Sequence, residues 1–347
     1  MSRHAFILLY TLVLITNILK DRIKMNKGTL LISLDFELFW GVQDCHTYED
    51  YGDNVIGGRK TIPQLLELFK EHGIHASWAT VGMMFAENKD EIVSFSPSED
   101  LRPSFDNAAL SGYRVLIHIG DNEQEEPYFY GKSLIDLIAG CPHQEIASHT
   151  YSHYYAREAG QTYDEFDADL KAAKNISVAK GYDVKTLVFP RNQSKKEYES
   201  AITNNGYLAF RGEEEDWIHK IPINIVKRMF RLADSYLNLT GSATYSIENF
   251  KSGELHNFRG SRFLRPYNHS LRFFESLKIK RVKGQMKKAA KKGRIFHLWW
   301  HPHNIGINTE KNLKNIKEIL DYYDELKNKY GMESKNMLEL AEEINNS

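Results

Sequence analysis

The first regular segment of the chain is the run Thr29-Leu-Leu-Ile-Ser-Leu-Asp35-Phe36-Glu37, which is apolar up to a pair of acids. A short apolar run of this kind predicts a buried β-strand. Because successive side chains of a strand point to opposite sides, Asp35 and Glu37 face one side together while Phe36 packs on the other. Two carboxylates at the end of a buried strand are costly unless they bind a ligand or react, and a surface ion pair is the alternative interpretation.

From this run onward, predicted strands and helices alternate along the chain. Further strands are predicted at 75–81, 145–148, 185–190, 207–211 and 294–300. Helices are predicted at 61–72, 134–139, 163–180, 195–205, 309–330 and 336–344. At the first of them, Gly57-Gly58 precedes the start and Pro63 lies in the first turn. The alternation is typical of a parallel α/β architecture. A polar stretch at about 213–281 interrupts it and predicts an insertion before the last strand.

The composition is that of an ordinary globular protein. The chain has 347 residues, 42% of them hydrophobic, and a formal net charge of −1, so it is long enough for one large domain with additions or for two domains. Near neutrality excludes the broad positive surface of a dedicated nucleic-acid-binding protein. Two cysteines, Cys45 and Cys141, exclude a disulfide framework or a zinc finger, so any metal must be held by histidine and carboxylate.

Residues 1–24 require a separate interpretation. The apolar segment 5–19 is shorter than the roughly 20 residues that span a bilayer, and charged residues follow it instead of a signal-peptide cleavage site. Residues 1–24 are therefore a membrane anchor, an uncleaved signal, or an over-extended gene prediction with Met25 as the true start. We expect a cytoplasmic protein in the last case and a membrane-associated one in the others.

A run of basic residues precedes the last predicted strand. Residues 276–294 contain nine lysines and arginines and no acid. One interpretation is the solvated face of an amphipathic helix. The other is a contact with anionic lipid, a lipid-linked sugar or a nucleotide phosphate.

Histidine and arginine motifs follow three other predicted strands. His149-Thr-Tyr-Ser-His153 has the spacing that puts both imidazoles on one side of a helical turn, where they can share a metal. Phe189-Pro190-Arg191-Asn192 is either functional or a turn with a surface arginine. In the segment 297–303, His297 is expected in the barrel interior, and His301 and His303 at the exit of the strand.

All these motifs fall at the carboxyl ends of predicted strands. In a β/α barrel those ends form one face, and that face holds the active site. Two histidines and a carboxylate with an open coordination position form a catalytic site for zinc or a related divalent ion.

The order of these motifs, an acid-x-acid pair, His-Thr-x-x-His, an arginine turn and a late histidine, resembles the polysaccharide deacetylases, carbohydrate esterase family 4. The resemblance extends over about residues 29–304 and implies a distorted (β/α)7 barrel within 25–347. It implies these roles: Asp35 as catalytic base, His301 as catalytic acid, Arg191 as the residue that orients the base, Glu37, His149 and His153 as metal ligands, and Asp216 as a support for Arg191.

The chain departs from the family pattern at three points. The two acids of the first motif are separated by Phe36, and the second is Glu instead of Asp; Glu37 ligates the metal, or the two histidines and Asp35 hold it. The arginine turn lacks the usual Pro-Tyr, and the late motif reads Trp-His-Pro instead of Leu-His. These differences concern the metal and the shape of the substrate more than the fold.

The resemblance implies a zinc-dependent hydrolase that removes N-acetyl groups from amino sugars of a glycan or glycan precursor, such as a bacterial cell-surface glycan. Tyr151, Trp217, Trp299 and Trp300 are candidates to stack on a sugar ring. One alternative is hydrolysis of another non-peptide C–N bond, such as a cyclic amide or imide, on the same barrel. The other is a non-catalytic glycan-binding protein, which a His301 pointing away from His149 and His153 would favour.

Overall fold

The computed structural model describes residues 27–214, 216–250 and 255–346. The predicted leader at 1–24 lies outside these residues. None of the described helices is long and apolar enough to cross a membrane.

The described part of the chain forms one curved sheet of parallel strands. The strands are β1 (Thr29–Phe36), β2 (Ala76–Thr80), β3 (Gln144–Ser148), β4 (Thr186–Val188), β5 (Ala209–Arg211), β6 (His256–Asn257), β7 (Arg262–Phe263), β8 (Ile295–Trp300) and β9 (Glu333–Lys335). Their order is β6-β5-β4-β3-β2-β1-β8-β7, and β9 pairs with the start of β1. Parallel pairing throughout places every strand's carboxyl end on one face, as the predicted distorted (β/α)7 barrel requires.

The helices cover the outside of this sheet. They are α1 (Tyr48–His72), α2 (Lys89–Phe95), α3 (Lys132–Ala139), α4 (Tyr163–Ala179), α5 (Glu199–Asn204), α6 (Asn224–Tyr236), α7 (Glu275–Lys292), α8 (Thr309–Tyr330) and α9 (Met337–Asn345). The first strand lies at the centre of the core, since every residue of β1 is buried.

Helix α1 begins well before the predicted start at residue 61. Thr47 and Asp50 form a reciprocal capping box there, and Gly57, Gly58 and Pro63 lie inside the helix. The two glycines serve close packing: a Cβ on Gly57 would lie 2.1 Å from the carbonyl oxygen of Gly306, and one on Gly58 2.8 Å from the Cα of His303. The glycine pair therefore brings the turn after β8 against α1, which positions the late histidine motif.

The stretch 213–281 is only in part an insertion. It contains α6 and also the two-residue strands β6 and β7, which pair with β5 and β8 at the two ends of the sheet. Strands this short leave no alternating pattern in the sequence, so the sequence did not reveal that this stretch completes the barrel.

The basic run 276–294 forms most of α7. Two of its cations, Lys278 and Arg281, are buried and bind other parts of the insertion. Lys278 donates to the carbonyl oxygens of Arg265 and Pro266. Arg281 forms an ion pair with Asp234. The predicted lipid contact of this run stays a prediction.

Candidate active site

Glu37 is the centre of the site at the carboxyl ends of the strands. Its Oε2 lies 3.0 Å from His149 Nε2 and 2.9 Å from His153 Nε2, and all three side chains are buried. Burial alone would raise the pKa of Glu37, but the imidazoles of His301, His153 and His149 outweigh burial and hold that pKa well below its usual range. The carboxylate is therefore ionised where the two histidines converge on it.

A loop, and not the predicted helical turn, carries the two histidines. Thr150 and His153 have φ values of 65° and 58°, in the left-handed region. Asp169 of α4 holds this loop by accepting hydrogen bonds from the backbone N–H groups of Tyr151 and Ser152 and from the Ser152 hydroxyl. Burial raises the pKa of Asp169 to about 6 despite these three donors. The predicted convergence of His149 and His153 is thus reached by a different local structure.

The donor atoms of this group fit a divalent cation. His149 Nδ1 lies 2.8 Å from the carbonyl oxygen of Val188, which can only accept, so a neutral His149 directs its Nε2 lone pair at the Glu37 carboxylate. His153 Nδ1 is buried and, among the described residues, has no hydrogen-bond partner. Ligands of a tetrahedral zinc lie about 3.3 Å apart, which a small outward shift from the present spacing would give. Glu37, His149 and His153 could therefore hold such an ion.

A second group of possible ligands, His75, His143 and Glu339, lies at the opposite end of the strands. The rings of His75 and His143 stack with their centroids 3.8 Å apart and an interplanar angle of only 3°. A metal bound to an imidazole lies close to the plane of its ring, and one ion cannot lie in two parallel, stacked planes. This group therefore fits a metal poorly compared with the group at Glu37.

Asp35 lies beside Glu37 and is held by an arginine that the sequence analysis did not select. Arg211, at the end of β5, donates from Nη2 to Asp35 Oδ2 at 2.7 Å and from Nη1 to the Ser33 hydroxyl at 2.8 Å. Burial would raise the pKa of Asp35, but Arg211 and then His301 outweigh it and lower that pKa. Among the described residues no donor is aligned on Asp35 Oδ1, although Arg211 Nη1 lies 2.7 Å away. Because a carboxylate oxygen has more than one lone pair, Oδ1 can still accept a proton beside Arg211.

In the turn after β4, the residue that contacts Arg211 is Asn192, and Arg191 points elsewhere. Arg191 pairs with Asp44 at 2.5 Å and lies over the Tyr155 ring, so the contact that the resemblance implied between Arg191 and the base is not present. Arg191 and Asn192 both have left-handed φ values, 53° and 54°, which turn the Asn192 side chain inward. Its Oδ1 accepts from Nε and Nη2 of Arg211.

His301 faces both carboxylates. Its Nε2 lies 3.5 Å from Asp35 Oδ2 and 3.5 Å from Glu37 Oε1. On the other side of the ring, Asn304 Nδ2 donates to Nδ1 at 3.1 Å, and the Tyr51 hydroxyl donates to Asn304 Oδ1 at 2.8 Å. With Nδ1 accepting, the proton of a neutral His301 is on Nε2, which points into the site. The orientation that would favour a non-catalytic protein is not observed.

The two other histidines of the late motif are buried and neutral. His297 lies between the Ser33 hydroxyl and the carbonyl oxygen of Phe258, and burial, followed by Arg211, lowers its pKa to about 3. This is the interior position expected for it. His303 stacks on His301 with ring centroids 5.1 Å apart, and burial and then His301 lower its pKa to about 3.

Two of the residues predicted to stack on a sugar are part of the core. The Tyr151 ring packs over Gly82 and its hydroxyl donates to the carbonyl oxygen of Ile92, and Trp300 packs on Phe69. Tyr151 and Trp300 are buried because the loop conformation and the strand register turn them away from the open face. The prediction for both is wrong.

The other two aromatic candidates lie near cavities. Trp299 lines a cavity next to His301, and its ring stacks on the Arg211 guanidinium. Trp217 is 47% exposed and lines a separate cavity with Asp216. Asp216 accepts from the backbone N–H of Ile218, and the carboxylate paired with Arg191 belongs to Asp44. The support implied for Arg191 thus comes from Asp44.

The sequence analysis missed four residues of the site: Arg211, Asn192, Asp169 and Asn304. A signal existed for Arg211 alone, since a charged residue ends the predicted strand 207–211. The others act through loop conformations, for which spacing in the sequence gives no sign.

Comparison with known proteins agrees with this barrel. Residues 46–210, just under half of the chain, match the family model described as polysaccharide deacetylase. None of the curated proteins matches the chain. The matched segment includes His149, His153 and Arg191, whereas Asp35, Glu37 and His301 lie outside it.

Three solved structures share the fold over nearly the whole chain. A protein from Mycobacterium smegmatis assigned as a polysaccharide deacetylase aligns with a TM-score of 0.57 and 13% identity over 92% of this chain and 91% of its own. A protein from Pseudomonas aeruginosa PAO1 with the same assignment aligns with a TM-score of 0.54 and 12% identity over 91% of this chain and 90% of its own. The Puue allantoinase aligns with a TM-score of 0.54 and 11% identity, again over 91% of this chain and 90% of its own. At such low identities these likenesses show the fold alone.

The sheet and the side chains at its carboxyl ends define a parallel β/α barrel with a candidate active site. Within that class, residues 46–210 match the polysaccharide deacetylase family model, in agreement with the family predicted from the motifs.

Proposed function

We propose that this protein is a metal-dependent hydrolase that removes N-acetyl groups from amino sugars of a glycan or glycan precursor. The observation that carries the proposal is the meeting of three groups in one place: the Glu37–His149–His153 group, the Asp35 carboxylate, and His301 Nε2. Amide hydrolysis needs each of them, because water must be deprotonated, the carbonyl polarised and the amine protonated.

Asp35 is the general base of this proposal. Arg211 and Asn192 fix its position, and the lowered pKa keeps it ionised at neutral pH. Oδ1 takes a proton from the attacking water, while Oδ2 stays bonded to Arg211. The side chain that receives the proton is thereby prevented from rotating away.

His301 is the general acid. In its protonated form, His301 donates the Nε2 proton to the nitrogen of the departing amine and becomes a neutral imidazole; without that proton the C–N bond does not break. Asn304 hydrogen-bonds Nδ1 and fixes the ring so that Nε2 faces the site. The proton that Asp35 took from water then passes to the neutral His301 and restores both groups, since Asp35 Oδ2 and His301 Nε2 are 3.5 Å apart.

Glu37, His149 and His153 would hold the divalent ion. Bound there, zinc or a related ion polarises the acetyl carbonyl and lowers the pKa of water. His149 is oriented for this by Val188, and the loop of both histidines by Asp169.

Release of acetate from an N-acetylglucosamine oligomer tests the proposal. The full chain, supplied with zinc, should release acetate, and Asp35→Asn should lower the rate by about 100-fold or more. Asp136→Asn, a change on the exposed surface of α3, is the matched control and should act as the wild type. Absence of acetate release from N-acetylated sugars by the metal-loaded protein would contradict the proposal.

Hydrolysis of a cyclic amide is the second candidate. It has support in one observation, the shared fold with the Puue allantoinase. A parallel assay with cyclic amides and imides separates the two functions, because activity on the imides alone would favour this candidate over the deacetylase.

A further inference from the structure

A cavity of about 590 Å³ opens beside His301, between α6 and the end of the sheet. Its size is that of a typical small-molecule site. Three arginines line it, Arg228, Arg231 and Arg265, and none of its lining residues in the described part of the chain is an acid. His301 forms part of the same wall, so a ligand in this cavity is continuous with the reaction centre.

Carboxylates lie beside two of the three arginines but do not form ion pairs with them among the described residues. Arg228, the third, also forms no ion pair with a carboxylate in the described ranges, and Arg265 Nε donates to the Ser235 hydroxyl. Glu214, Asp216 and Asp234 share an adjoining cleft with Arg231 and Arg265. Of these acids, Asp234 pairs with Arg262 and Arg281, and Glu214 accepts a hydrogen bond from Trp299. An anion is therefore the complementary ligand, and arginine is the residue best suited to a phosphate.

The remaining walls of the cavity are apolar. On α6, Ile225, Met229 and Leu232 follow helical spacing and are 63%, 66% and 40% exposed. Phe263 and Trp299 face them from the sheet. Large apolar side chains that stay exposed on one helix face are typical of an interaction surface. Here the apolar face, Arg228 and Arg231 belong to the same helix, and Arg265 faces the same cavity from the segment after β7.

We propose that this cavity binds a phosphate joined to a hydrocarbon chain, so that the substrate is an N-acylated amino sugar linked through phosphate to a lipid. The arginines hold the phosphate, the apolar face of α6 takes the chain next to it, and the sugar extends to His301. The substrate class rests on the proposed function, whereas the binding of an alkyl phosphate stands on the cavity alone.

Calorimetric titration of the full chain with octyl phosphate, inorganic phosphate and octyl glucoside tests the proposal. Octyl phosphate should bind at least about tenfold more tightly than either of the others, because only it has both parts. Arg228→Gln and Arg231→Gln should each weaken its binding severalfold. Arg272→Gln, an exposed arginine of the insertion outside the cavity, should not.

Each other outcome overturns the proposal. Equal binding of octyl phosphate and inorganic phosphate means that the arginines bind a phosphate without a chain, and equal binding of octyl glucoside means that the cavity binds any amphiphile. Thermal melts of the three variants exclude misfolding as the cause of weak binding. Asp35→Asn should still bind octyl phosphate, so a failure of the deacetylase function and a failure of this cavity give different results.

Discussion

A buried arginine that bonds one carboxylate determines both the charge and the direction of that carboxylate. Arg211 is fully buried and is surrounded by Asp35, Ser33, Asn192 and the Trp299 ring. Arg191, by contrast, lies at the rim with Asp44. The order of the motifs predicted that Arg191 orients Asp35, whereas in the structure Arg211 makes that contact.

Arg211→Gln should destabilise the protein by about 3 kcal/mol or more, because Asp35 would be left as a buried charge without its cation. Arg191→Gln should cost less than about 1 kcal/mol, since the pair it breaks is partly exposed. Urea unfolding of both variants measures the difference. Equal losses would mean that Asp35 does not depend on Arg211.

His297 predicts a loss of stability in acid. Its folded pKa of about 3 lies below the unfolded value of 6.5, so the stability that it contributes is complete above pH 6.5 and is lost as the pH falls from 6.5 towards 3. At pH 5.5 this one group lowers the free energy of unfolding by about 1.4 kcal/mol relative to neutral pH. His297→Gln, which can still bond Ser33 and Phe258, should show a shallower decline in urea midpoints between pH 7.5 and 5.5. A decline of unchanged slope would assign the acid sensitivity to other groups.

Among the elements, α1 packs directly against the turn that carries part of the site. Its glycines at 57 and 58 meet the turn that follows β8, and that turn carries His303 and Asn304. A helix with two adjacent glycines is weak by itself, by about 1 kcal/mol for each glycine relative to alanine. Close packing of the turn compensates for this weakness.

Gly58→Ala should therefore destabilise the protein although alanine is the better helix former, because the new Cβ would lie 2.8 Å from the His303 backbone. Gly284→Ala in α7 is the matched control: nothing lies within 4 Å of its Cβ, and stability should rise by about 0.5–1 kcal/mol. Thermal melts of both variants provide the measurement. A stabilising Gly58→Ala would contradict the packing role of the glycine.

The elements also show what the sequence could and could not predict. β1, β8 and α8 were placed within a residue of their observed bounds, because long apolar or amphipathic periods determine them. Three other features depend on tertiary contacts. The start of α1 depends on the approach of the 302–306 turn, and the strands β6 and β7 depend on pairing at the ends of the sheet. The loop at 149–153 depends on hydrogen bonds to Asp169. Likewise, Asp35, Glu37 and His301 followed from strand ends, while Arg211 and Asn192 did not follow from any spacing.

At the scale of the whole molecule, the metal should couple to stability. Bound to the folded chain alone, an ion in excess of its dissociation constant raises the free energy of unfolding, by about 2.7 kcal/mol at 100-fold excess. Zinc should therefore raise the melting temperature of the wild type and not that of His153→Ala. His143→Ala, a change in the parallel-stacked group at the other end of the barrel, should keep the response. A response lost only in His143→Ala would place the metal at the wrong end for catalysis.

The position of β1 between β2 and β8 also has a consequence during protein synthesis. β2 follows β1 closely, but β8, which pairs with the other edge of β1, is made roughly 260 residues later. At typical translation rates that edge of an apolar strand stays open for on the order of 10–50 s. An unpaired apolar edge is a site for aggregation, so chains terminated before residue 295 should be found in the insoluble fraction.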